Sequence, residues 1–392
     1  MIRSALLLCA TLLAALTFGC EIPPTTPPGP GQRTLFSGWG LAAAYGPQVM
    51  ACDPSPFVNK VYTLDYRYDP SNYYSGYGYS SPAGVIQVAD TTKWQDINNL
   101  QQFTSDLGAA YCAASSTFQK QLTDLTAVFI SCLDPSNCVP SGQNIFLGSW
   151  GYRENAATQS ALQHTYVALS ADLWPTTLKQ PPMKYSQFEY VLLDNLLQIP
   201  PPPASQPVTI YANPDTPALT VLAALAHELG HIYWWKLDAE NFDCPHNLGF
   251  FSDISWKSPP DPTLRFHKFG VEQSPNSAGK GGSVPKSGHN HKDQVKKDIP
   301  TNSSHANQDL DNIYDNGYWA SMFATVTPDE DFVETYKLWA LTAAGLNSLQ
   351  VTVPGYATAY LVNPSSPIGF FTDGQSDLYA KADWVQSCFA WP

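Results

Sequence analysis

Residues 226–236 read AHELGHIYWWK and contain His-Glu-x-x-His as His227, Glu228 and His231. On a helix, residues four apart lie on one face, so His227 and His231 present their imidazoles to one point. Glu228 lies about 100° round the helix from His227. It is badly placed to ligate with the histidines but well placed to reach a water beside them. A metal lowers the pKa of such a water towards about 7, and a carboxylate then takes its proton. The residue types and spacing therefore fit a hydrolytic Zn2+ site with Glu228 as general base.

The segment around the motif reads as a helix over 217–236. Thr216 is its expected N-cap, with Pro217 at the first helical position. The flanks LTVLAALA and IYWW are apolar nearly all round, which marks a buried helix. Buried imidazoles and carboxylates need partners, and a metal supplies one. Gly230, inside the helix, costs about 1 kcal/mol against Ala. A close approach of another backbone would explain it. The rival reading is a buried helix whose histidines hydrogen-bond to other side chains.

A third ligand must come from elsewhere. One class of zinc hydrolase continues His-x-x-Gly-x-x-His, but Trp234 and Leu237 stand at the glycine and last histidine positions. A Gly-Thr-x-Asp motif does not follow either. A third class takes a glutamate from a later helix with an acid four positions on. Glu330 and Glu334, in EDFVE, fit that pattern. Glu330 is the expected metal ligand, with Glu334 and Asp331 as fallbacks. Glu334 is placed to accept a hydrogen bond from a ligating histidine and fix its tautomer. Asp238, Glu240, Asp243 and His246 are nearer in sequence, but none has a helical apolar context with a second acid at i+4. The bland alternative for DEDFVE is an acidic helix N-terminus favoured by the helix dipole.

HELGH together with SMFATVTPDEDFVETY resembles the HExxH…ExxxE (gluzincin-type) zinc metallopeptidases, among them the catalytic domain of anthrax lethal factor and bacterial lipoprotein-type peptidases. The likeness covers the helix at 217–236 and residues 320–336. It implies an α+β, zincin-like metallopeptidase fold: a mixed sheet in the upper lobe, the HExxH helix beneath it, and a helical lower lobe carrying Glu330. It implies hydrolysis of a protein or peptide substrate, with the strand PVTIYA (207–212) near a sheet edge that takes up extended chain. It also implies a tyrosine hydrogen-bond donor seven residues before the ligating glutamate. Phe323 stands there and cannot donate. Tyr318 and His246 are the candidate replacements. The alternative is a weakly active or inactive zinc-binding envelope or adhesion lipoprotein.

Bulk properties narrow the setting. The 392 residues are 44% apolar and carry a net charge of −13. That suffices for a large core and argues against nucleic acid as a partner. Residues 1–19 read as a signal peptide: Arg3, then an apolar run at 5–18 too short to span a bilayer comfortably. Cys20 is the expected lipidation site, although Thr17 stands where such signals usually have leucine. Ordinary secretory cleavage before Cys20 is the rival. Six later cysteines, Cys52, Cys112, Cys132, Cys138, Cys244 and Cys388, suit three disulfides, whereas a free Cys20 would be an odd seventh. Cys132 and Cys138 flank a turn-rich LDPSN and are expected to pair. A monomeric protein is expected, held in the bacterial cell envelope through lipid on Cys20, or secreted if that lipid is absent.

Pro-rich residues 20–33 form a tether, and 34–392 the catalytic domain. Residues 61–86 are dense in Tyr, Ser and Gly and read as loop or edge structure. Apolar spacing suggests helices over 95–130 and 186–198, and short strands at 144–148 and 165–170. Residues 255–312 are polar and read as a flexible insertion containing GHNHK, which suits a solvated loop better than a metal site. Joining the two ligand-bearing helices, the insertion is a candidate cover for the cleft.

Overall fold

The computed structural model describes residues 52–63, 97–125, 127–131, 148–153, 164–170, 173, 182–197, 208–239, 244, 251–257, 284–285, 295, 297–298, 303–315, 317–356, 358–362 and 377–389. The expected signal peptide, the tether, Cys20, Cys132, Cys138, His246 and most of the Tyr-rich stretch lie outside these residues.

The architecture is α+β, with helices, a mixed sheet and a small antiparallel sheet. The chain begins with α1 (Ser55–Val58), β1 (Val61–Thr63), α2 (Ile97–Ala113) and α3 (Ser116–Asp124). Strands β2 (Ala127–Ser131), β3 (Gly148–Arg153) and β4 (His164–Ser170) follow. These strands form a sheet of order β1-β2-β4-β3, parallel except for β3, which runs antiparallel at its edge. Residues 127–130, read as helical, are strand: AVFI is a short continuous apolar run without helical spacing, and it pairs in parallel with β1 and β4. Along β4, Thr165, Val167 and Leu169 alternate into the core.

Helix α4 (Tyr185–Leu197) leads to β5 (Thr209–Asn213) and then to α5 (Pro217–Ala239), which carries the motif. Thr216 caps α5 by accepting from Leu219 N at 3.3 Å. Leu219, Val221, Leu222, Leu225, Leu229, Ile232 and Trp234 are buried, and so are His227, Glu228 and His231, so α5 is buried on every side through this stretch. It packs on β3 and β4, on α2 and on α8 (Pro328–Ala343). Trp234 meets Phe251 and Phe332, as core packing rather than chemistry.

Between α5 and α8 lie α6 (Ser252–Ser255), the two-stranded pair β6 (Trp256–Lys257) and β7 (Val284–Pro285), and α7 (Ser303–Asp315). Residues 303–312, placed in the polar insertion by composition, are thus helical. Ala306, Leu310 and Ile313 are buried at i, i+4 and i+7, a narrow stripe that the surrounding polar residues mask.

After α8, β8 (Ser348–Thr352) and β9 (Thr358–Val362) join β5 in an antiparallel sheet of order β5-β8-β9. The strand over 207–212 is therefore an edge strand, but of this second sheet; the edge strand lying against α5 is β3. Helix α9 (Asp377–Phe389) packs on α8. Disulfides join Cys52 to Cys112 and Cys244 to Cys388. The second ties the segment following α5 to the end of α9.

Candidate metal centre

Helices α5 and α8 make the site between them. Their approach is set at Gly230, where a Cβ would lie 3.2 Å from Val333 Cα and 3.3 Å from Val333 Cγ2. No side chain fits there without moving α8. The close approach anticipated at Gly230 is that of α8 itself.

The start of α8 is set by Thr327, whose hydroxyl accepts from Glu330 N at 3.2 Å, and by Pro328 in the first turn. This capping places Asp329, Glu330 and Asp331 in the first helical turn, where the helix dipole favours negative charge. Glu330 faces the motif: its Oε2 lies 3.7 Å from His227 Nε2 and its Oε1 lies 3.7 Å from His231 Nε2. One ligand atom from each of His227, His231 and Glu330 lies within 4.8 Å of the others.

Each imidazole is held from behind by a carboxylate. His227 Nδ1 lies 2.8 Å from Glu334 Oε1, and His231 Nδ1 lies 3.1 Å from Asp329 Oδ2. With Nδ1–H donating to these acids, both Nε2 lone pairs face Glu330. Asp329 was not singled out from sequence. Its signal was available afterwards: it lies in the same first turn as Glu330, on the side that reaches His231.

The donor set suits zinc. Tetrahedral bonds of about 2.0–2.1 Å place ligand atoms about 3.3–3.4 Å apart, and one ligand atom from each of the three residues already lies within 4.8 Å of the others. Glu330 Oε2 is buried and has no hydrogen-bond partner among the described residues. A buried carboxylate oxygen beside an imidazole, without a donor, is what a cation would satisfy.

The electrostatics follow from crowding. Burial pushes the Glu330 carboxyl up to about 7 despite the two imidazoles. Burial acts to lower the His231 pKa, but Asp329 and Glu330 outweigh it and raise it to about 10. Burial likewise opposes the shift at His227, where the Glu334 hydrogen bond and Glu330 prevail and raise it. Burial raises the Glu228 carboxyl, against the pull of His227 and His231. Glu228 is 7% exposed, so it is screened from bulk water while lying between the two ligating positions in sequence.

Asp331, a fallback ligand, turns away from this centre. It pairs with Lys381 at 2.8 Å and accepts from Trp256 Nε1 at 3.0 Å. Phe323 lies in a 3₁₀ turn (Phe323–Thr325), its ring edge-on to His227 with centroids 5.7 Å apart. Tyr318 is 38% exposed, and its carbonyl accepts from Lys381 Nζ. Comparison of the chain with protein-family models, with curated proteins and with solved structures returned no match.

Proposed function

We propose that this chain is a zinc-dependent peptidase with a zincin-like fold, in which His227, His231 and Glu330 hold Zn2+ and Glu228 is the general base. The observation that carries the reading is the convergence of two Nε2 atoms on a half-buried carboxylate whose buried Oε2 has no hydrogen-bond donor among the described residues. Bound zinc would supply Lewis-acid activation of a water and of the substrate carbonyl.

The chain's own residues do the rest. Glu228 accepts the proton of the attacking water and later delivers it to the leaving amine. Glu334 and Asp329 keep both imidazoles in the ligating tautomer. Edge strand β3, packed on α5, has β4 as its one strand neighbour among the described residues, and its other side is the place for an extended substrate to pair. The two disulfides support an oxidising compartment. That agrees with an envelope protein anchored through lipid on Cys20. No helix among the described residues is long and apolar enough to cross a membrane.

The deciding experiment compares the mature chain with its Glu228→Gln variant, both zinc-loaded, on unstructured protein substrates. The wild type should cut while the variant retains zinc and loses at least about 10²-fold in rate. Equal hydrolysis by both would overturn the assignment. One observation favours a second reading, a zinc-binding lipoprotein without turnover. The ring against His227 at position 323 is phenyl and offers no donor to a developing oxyanion. That reading predicts one zinc per chain and no cleavage.

A further inference from the structure

The carboxylate behind His227 is itself held from behind. Glu334 Oε1 meets His227 Nδ1, and Glu334 Oε2 accepts from Lys337 Nζ at 2.7 Å. Lys337 Nζ also donates to Glu189 Oε1 at 2.7 Å. Four side chains from three helices thus form one line: His227 on α5, Glu334 and Lys337 on α8, and Glu189 on α4. The side chains of Glu334, Lys337 and Glu189 are 1%, 3% and 10% exposed.

Taking three ionisable groups out of water is a poor way to gain stability, because well-packed apolar residues of the same volume do as well or better. The line has a geometric consequence instead. A glutamate's last torsion is broad, so a carboxylate held by one oxygen turns easily. Lys337 occupies Oε2 and leaves Oε1 for the imidazole. Glu189, reaching in from another helix, keeps the ammonium from swinging away. Lys337 Nζ also lies 5.9 Å from the Phe188 ring centroid, which closes that side. Burial acts to lower the Lys337 pKa, but Glu189 and Glu334 outweigh it and raise it, so the ammonium stays charged.

The carboxylate behind the other histidine is more exposed. Asp329 meets His231 through Oδ2, while its Oδ1 has no partner among the described residues, and its side chain is 26% exposed.

We propose that Lys337 and Glu189 are positioning residues for the metal centre, locking the Glu334 carboxylate so that His227 presents Nε2 at a fixed angle. This rests on the zinc reading above and deepens it. Neither residue touches substrate or metal; both act through Glu334.

The test uses the full mature chain, stripped and then titrated with zinc or cobalt. The variant is Lys337→Met with Glu189→Gln, which removes both charges at similar volume and leaves Glu334 with His227 Nδ1 as its partner. Zinc affinity is read by chelator competition and ligand geometry by the visible spectrum of the cobalt form, with circular dichroism confirming the fold. The folded variant should bind zinc about 10–100-fold more weakly and show an altered cobalt spectrum. Wild-type affinity with an unchanged spectrum would overturn the proposal. Should the double variant not fold, Glu189→Gln alone carries the test: a smaller loss of affinity with an altered spectrum supports the role, and no change in either overturns it. A wild-type chain that takes up no zinc overturns the reading of the site itself, a result distinct from all of these.

Discussion

Gly230 and Val333 are in backbone contact: a Cβ on Gly230 would lie 3.2 Å from Val333 Cα. That contact sets how far α8 stands from α5, and so how far Glu330 and Glu334 stand from the two histidines. Gly230→Ala gains about 1 kcal/mol in helix propensity but forces backbone apart, a change that typically costs about 1–3 kcal/mol. The net expectation is a modest loss of stability with a disproportionate loss of zinc affinity. Urea unfolding and chelator competition on the same sample measure the two. Unchanged zinc affinity in a destabilised variant would remove the link between this contact and the site.

The metal-free protein should lose stability as pH rises. His231 is raised to about 10 from an ordinary 6.5. A group with a raised folded pKa contributes stability that is complete below the unfolded value and is lost as pH rises through the folded one. Glu330, raised to about 7 from 4.5, acts with the same sign at lower pH, costing stability as it ionises. Zinc takes the place of both protons. Melting temperature in chelator should therefore fall between about pH 4.5 and about pH 10, while that of the zinc-loaded protein should not fall with it. Parallel profiles would count against a metal at these residues.

Lys381 and Asp331 form a fully buried pair, with Nζ–Oδ distances of 2.8 and 2.9 Å and the ammonium 4.2 Å from the Trp319 ring centroid. The pair ties α9 to the first turn of α8. Lys381→Met leaves a carboxylate buried without its counter-ion and should cost about 3–5 kcal/mol in denaturant unfolding. Adding Asp331→Asn should recover part of that loss. No recovery would mean that packing of the lysine stem, not the stranded charge, carries the cost.

Phe323→Tyr adds a hydroxyl to the ring beside His227. If the resemblance to HExxH…ExxxE peptidases extends to this position, kcat should rise about ten-fold or more with zinc affinity unchanged, because an oxyanion donor acts on the transition state. Steady-state assays with matched zinc content decide it. An unchanged kcat would show that another group already serves, or that the para position lies outside the cleft.

The features readable along the chain are those carried by local spacing. His227 and His231 share a face because a helix repeats every 3.6 residues, and the apolar flanks announce that the helix is buried. Thr216-Pro217 and Thr327-Pro328 mark two helix starts by capping chemistry alone. The pairing of Glu330 with an acid at i+4 is equally local. Other local signals mislead: AVFI, at 127–130, falls in a stretch whose spacing suggests helices, and the buried stripe of α7 vanishes into a polar average.

Tertiary structure alone decided which of three consecutive acids serves which partner. Asp329 meets His231, Glu330 faces both Nε2 atoms, and Asp331 turns to Lys381. Successive residues on a helix point about 100° apart, so neighbours of like charge reach different elements. The line from Glu334 through Lys337 to Glu189 and the Cys52–Cys112 and Cys244–Cys388 pairings were also settled only in space. Their sequence separations of 148, 60 and 144 residues carry no periodic signal. Whether two such distant groups meet depends on how whole helices pack, and here that packing is governed by a missing Cβ at Gly230.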